Sequence, residues 1–239
     1  MKKCLLIQSG AFGDLFICAP IAKYYHDLGY EVFWPTRKKF AGVVSHFPYV
    51  KHILLNEEEL HSDWLRSDTI KCLRLMDQTK FDLVLNLADR GPHPTAQLPY
   101  EKLDQTKYRL SNVDFSLKNS LVWDRNETIE NEIFEKFVGD EKDYVFVHRT
   151  SSDNNFAEIP KEISGKIVEI QEYPNDDIVG WYKVIMNAKA VFCVESSVQS
   201  FIDGFVTSLP CPAYLLSRPT LNSGQTYTVA QHWDKRYLK

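Results

Sequence analysis

Lys3-Cys4-Leu5-Leu6-Ile7-Gln8-Ser9-Gly10-Ala11-Phe12-Gly13-Asp14 decides the reading of this 239-residue chain. A short apolar run, a turn with two glycines and then a long apolar stretch is how a buried strand feeds a helix in a parallel α/β sheet. Residues 14–28 are apolar nearly all round, which predicts a well-buried helix ended by Gly29. Working outward, the same alternation predicts strands at 30–34, stopped by Pro35, at 50–55 and at 81–87, with helices at 38–47 and 57–76. A loop over 88–99, rich in proline, precedes a helix at 100–110.

The alternation resumes after a poorly patterned stretch at 111–125. Strands are expected at 144–148, 166–170, 190–194 and 213–216, and helices at 126–137, 177–188 and 196–205. The tail from 220 has little periodicity. The fold class is therefore α/β, with two parallel-sheet domains at 1–115 and 116–239, and ligands are expected in the crevice beyond the carboxyl ends of the strands.

Composition excludes several classes. Hydrophobic residues make up 44 % and charged residues 25 %, with mean hydropathy −0.31, the values of an ordinary globular protein. A net charge of −4 provides no global field toward nucleic acid or anionic lipid. Five scattered cysteines without a C-x-x-C, and no signal-peptide core or membrane span, suggest a reduced, cytoplasmic chain.

Two places carry chemistry. At the first, Gly10 and Gly13 let the backbone approach a ligand, and Asp14 is the only carboxylate at a helix N-terminus that favours anions. The plainer alternative is that Asp14 caps its helix. A dinucleotide fingerprint fails, because glutamine stands at position 8 and the second strand ends Trp34-Pro35-Thr36 without an acid for the ribose. At the second, Glu195-Ser196-Ser197 opens a helix, with Gln199 placed to complete a capping box on Ser196. Upstream, a buried strand ends in His148-Arg149-Thr150-Ser151-Ser152, where Arg149 could neutralise a phosphate.

These residues resemble glycosyltransferase family 9, the heptosyltransferase family. The likeness rests on the Ser-Gly-Ala-Phe-Gly-Asp turn, on Ala19-Pro20 within the helix and on Phe47-Pro48-Tyr49-Val50 before the third strand. It covers about 50 residues at the amino end and about 70 at the carboxyl end, as in a short, divergent relative. The resemblance implies a GT-B fold, two Rossmann-like domains facing a cleft, and makes Asp14 the general base. It sets Gly13, His148, Arg149, Thr150, Ser151, Glu195, Ser196, Ser197 and Gln199 on the donor side. The family pattern N-D-T-G-x-x-H is altered here, with Ser200 at the histidine position.

The activity implied is sugar transfer from a nucleotide-diphosphate sugar to an acceptor hydroxyl, with a surface glycan or lipid-linked saccharide as acceptor class. Gly10, Arg90 and His93 are the candidate acceptor contacts. A carboxylate base opposite the donor implies inversion. The sequence contains no D-x-D, so no metal and no cofactor is expected. Two alternatives remain. One is a non-catalytic nucleotide-sugar binding module. The other is a viral enzyme glycosylating DNA bases, which would need a basic rim from Arg37, Lys38, Lys39, Arg90 and Lys107.

Overall fold

The computed structural model describes residues 1–8, 10–55, 77–88, 101–151, 156–170, 178–217 and 226–238. The chain divides into two compact units, Met1–Asp124 and Arg125–Lys239. The expected boundary after residue 115 therefore moves to Asp124. Residues 116–124 stay with the first unit because their polar groups are satisfied there. Lys118 Nζ donates to buried Asp104, Tyr49 Oη donates to the Val122 carbonyl, and the Asp124 N–H donates to the His46 carbonyl.

Among the described residues the first unit holds four parallel strands, β1 (Lys2–Ile7), β2 (Tyr30–Arg37), β3 (Val50–Leu55) and β4 (Leu83–Asn86), in the order β3-β2-β1-β4. Around them lie α1 (Phe12–Asp27), the short α2 (Ala41–Ser45) and α3 (Leu103–Leu110). Cys4 to Ile7 of β1 have no solvent exposure, and α1 is buried without a break from Leu15 to Ala22. Each such large aliphatic or aromatic side chain contributes about 1.5–3 kcal/mol by leaving water. Gly29 ends α1 as expected: it adopts φ +87 and its N–H returns to the His26 carbonyl.

The second strand does not stop at Pro35 but continues to Arg37, with Pro35 opposite Ile53 of β3. Pairing with β1 ends earlier, at Phe33 opposite Leu5, so the proline sits where one side of β2 has already lost its ladder.

Among its described residues the second unit has five parallel strands, β5 (Tyr144–His148), β6 (Lys166–Glu169), β7 (Val191–Val194), β8 (Ala213–Leu216) and β9 (Asp234–Tyr237), ordered β6-β5-β7-β8-β9. Its helices are α4 (Glu127–Phe137), α5 (Tyr182–Asn187) and α6 (Ser197–Asp203). Asn126 caps α4 by accepting the Ile129 N–H. Trp181 is fully buried beside Phe137 and Phe146. On the opposite face of the sheet, Ala157, Ile159 and Ile163 pack over Val145, Val147 and Phe192. Strand β9, in the tail read as unpatterned, is an edge strand of sequence Asp-Lys-Arg-Tyr, and such charged edges carry no apolar alternation.

Candidate functional site

In each unit the strand order reverses beside the first strand, and ligands in parallel α/β sheets bind at such switch points. In the first unit the reversal lies between β1 and β4, whose next residues are Gln8 and Leu87. In the second it lies between β5 and β7, followed by Arg149 and Glu195.

At the first switch point the turn is held from three sides. The Gln8 carbonyl accepts Trp34 Nε1 at 2.8 Å, Gln8 Nε2 donates to the Gly10 carbonyl, and Gln8 Oε1 accepts Lys107 Nζ at 2.8 Å. A strained residue in this turn is Ala11, which takes φ 65, ψ 116, while Gly13 already lies in the first turn of α1. An L-residue held there costs about 1–3 kcal/mol, which the surrounding bonds must offset.

Asp14 occupies the first turn of α1, with its side chain 14 % exposed. It is not the side-chain cap of that helix, since Ala11 stands at the cap and no side-chain bond is made there. Its Oδ1 is buried 3.2 Å from Lys107 Nζ and accepts no hydrogen bond. Lys107, on α3, is 1 % exposed and also donates to the Leu87 carbonyl. Cys18, one helical turn beyond Asp14, has its thiol pushed up to about 12 by burial, with the Lys107 charge opposing and the Asp14 charge reinforcing that shift. The thiol is inert ballast next to the charged pair.

Lys107 is the site residue that sequence reasoning missed. It was placed in a basic rim, whereas it is buried. Arg90 and His93 lie outside the described residues, so of that rim only Lys38 and Lys39 are exposed among the described residues, with Arg37 half-buried. The signal that could have found Lys107 is its helical spacing from Asp104, three residues earlier, on the face of α3 that also buries Tyr108.

At the second switch point His148 ends β5 and is 4 % exposed. Its Nδ1 shares a hydrogen bond of 3.1 Å with Ser196 Oγ, and Thr150 Oγ1 stands 3.5 Å from Nε2. Loss of water around the ring pulls its pKa down to about 4, so it is a neutral imidazole at pH 7. Ser196 caps α6 by accepting the Gln199 N–H at 3.3 Å. Ser196, Ser197, Thr150 and Ser151 are all partly exposed, and they bring hydroxyls together around the β5–β7 reversal.

Three expected donor contacts are engaged elsewhere. Glu195 is buried, and its carboxylate accepts the Tyr227 N–H, the Thr228 N–H and Thr228 Oγ1 at 2.6–2.8 Å, which fastens the segment leading to β9. Gln199 has no exposure, and its amide donates to Asp203, so the capping box is made from the Ser196 side only. Asp203 in turn accepts Trp233 Nε1 at 2.6 Å. Arg149 donates through Nε to Glu169 at 2.7 Å and lies over the Phe156 ring. A carboxylate partner offsets part of the pull that Arg149 could exert on a phosphate.

No family model and no curated protein sequence matches this chain. Solved structures do. The E. coli heptosyltransferase WaaC with ADP is similar at 13 % identity and TM-score 0.51, over 92 % of this chain and 88 % of that one. A glycosyl transferase of family 9 from Veillonella parvula gives 10 % identity and TM-score 0.57, over 92 % and 82 %. WaaC with ADP-2-deoxy-2-fluoro heptose gives 15 % and 0.50, over 93 % and 90 %. Coverage of that extent takes in both parallel α/β units, and the chain is thus built on the fold of the heptosyltransferase-type, family 9 glycosyltransferases.

Proposed function

We propose that the protein is a glycosyltransferase that moves a sugar from a nucleotide-diphosphate sugar to an acceptor hydroxyl, with inversion and without a metal ion. The observation that carries this reading is a carboxylate with one accessible edge, Asp14, held at the β1–β4 switch point against a sealed lysine. In the reaction the acceptor oxygen attacks the anomeric carbon while the bond to the diphosphate breaks. Asp14 takes the hydroxyl proton, and the nucleoside diphosphate leaves with the bonding pair. Attack from the side opposite the leaving group inverts the centre.

On the donor side, Ser196 and Ser197, with Thr150 and Ser151, offer hydroxyl donors for the diphosphate, and His148 orients Ser196. Arg149 adds charge, shared with Glu169. The first turn of α1, with Gly10 and Gly13, serves the acceptor and the approach of the donor. A cytoplasmic location and a saccharide acceptor belong to the same reading, and among the described residues no helix is long and apolar enough to cross a membrane.

ADP and ADP-heptose are the first ligands to test, as released nucleotide and as donor, because similar structures hold ADP or an ADP-sugar analogue. A thermal-shift panel of ADP, UDP, GDP and CMP, with and without EDTA, should give one nucleotide that raises the melting temperature by mass action, unchanged by the chelator. Asp14→Asn should then lower turnover by about 100-fold or more while leaving that shift intact. A second reading, a nucleotide-sugar binding module, draws on the Glu169 carboxylate already seated on Arg149. Unchanged turnover in Asp14→Asn would favour it or a different base.

A further inference from the structure

Lys107 is the least exposed charged side chain at the first switch point, and the molecule contains it for a reason that packing alone does not supply. A lysine is almost never sealed from water unless it is paired. Here the ammonium has three oxygen neighbours: Gln8 Oε1 at 2.8 Å, the Leu87 carbonyl at 2.5 Å and Asp14 Oδ1 at 3.2 Å. Two of these are neutral, so Asp14 is the anion that balances the cation. The pair is unequal, because the cation is 1 % exposed and the anion 14 %. The other lysine–aspartate pair sealed in the same unit, Asp104 and Lys118, is closed over both members at 0 % and 4 %, whereas Asp14 keeps an accessible edge.

We propose that Lys107 is a positioning residue for Asp14: it draws Oδ1 into the protein and fixes the plane of the carboxylate, leaving the rest of the group turned toward the substrate side. The inference rests on the reading of Asp14 as the base. Lys107 also reaches Gln8, whose carbonyl and amide tie down the turn that delivers Asp14, so one cation orders both the carboxylate and its approach. Because it touches no reacting atom, its effect must pass entirely through Asp14.

The test is a double-mutant cycle with a structural readout. Release of nucleoside diphosphate from ADP-heptose, UDP-glucose and GDP-mannose is measured for wild type, Lys107→Met, Asp14→Asn and the double variant. Crystal structures of wild type and Lys107→Met are compared alongside. Lys107→Met should lower kcat by about 10-fold to 100-fold, since a misplacement of about 1 Å has that effect, with donor KM nearly unchanged. In the Asp14→Asn background the same change should cost less than about 2-fold.

The crystal structure should show the Asp14 carboxylate displaced by about 1 Å or spread over two rotamers. Equal losses in both backgrounds, or a carboxylate that stays in place, overturn the proposal. Should Lys107→Met not fold, Lys107→Gln, which keeps an N–H donor and loses the charge, is measured instead. Should Asp14→Asn keep full turnover, the base assignment fails, and the carboxylate position in the Lys107 variant still decides whether Lys107 holds it.

Discussion

His148 stands between strand and helix, and its Nδ1 hydrogen bond to Ser196 Oγ links the two. Its pKa, pulled down to about 4 by burial, lies below the ordinary value of about 6.5 that it regains on unfolding. The unfolded chain therefore binds more protons between those limits. The stabilisation is complete above pH 6.5 and is lost as the pH falls toward 4, by up to about 3 kcal/mol. Urea midpoints across pH 4–7 should fall on acidification in wild type and show a shallower slope in His148→Gln; parallel slopes would refute the assignment.

The same scale explains which site residues could be read in advance. Asp14 could be found because its place after β1 is local. Glu195 and Gln199 could not be sorted into ligand contacts or internal ties, because their partners, Thr228 and Asp203, are chosen by the folded chain.

Among elements, the entry to β6 depends on Gly165, which adopts φ +92 with the Asp143 carbonyl 2.9 Å from where a Cβ would stand. Gly165→Ala forces a left-handed alanine against backbone, and stability should drop by about 1–3 kcal/mol in chemical denaturation. The helix α3 is anchored at its first turn by the sealed Asp104–Lys118 pair, 2.7 Å apart. Asp104→Ala strands the Lys118 charge and should cost about 3–5 kcal/mol, whereas replacing both residues with apolar ones should restore much of that loss. Elements with strong apolar runs, β1, α1, β5 and β7, were legible because burial on all sides leaves a continuous signal. The run of β2 past Pro35 and the existence of β9 were not, since each depends on which neighbouring strand is present to pair.

At the level of the whole chain, two units, each built on a parallel sheet with a reversal of strand order among its described residues, account for where the candidate sites lie. Each unit offers one chemical function, a carboxylate in the first and a cluster of hydroxyls in the second, so ligand effects should separate. A nucleoside diphosphate should raise the melting temperature equally in wild type and Asp14→Asn, as the proposed donor contacts, Ser196, Ser197, Thr150 and Ser151, all lie in the second unit. A lost shift in that variant would contradict this division.

Hydrophobic periodicity and turn chemistry are properties of neighbouring residues, and from them followed the α/β class, the two-unit plan and the candidacy of Asp14 and Ser196, while that of His148 came from the family resemblance. Partnerships across the sheet are made by residues far apart in the chain, and only the tertiary structure could decide them. It buried Lys107 against Asp14, 93 positions away, gave Arg149 to Glu169, and turned Glu195 inward, because a buried charge takes whatever opposite group or donor the packing brings within reach.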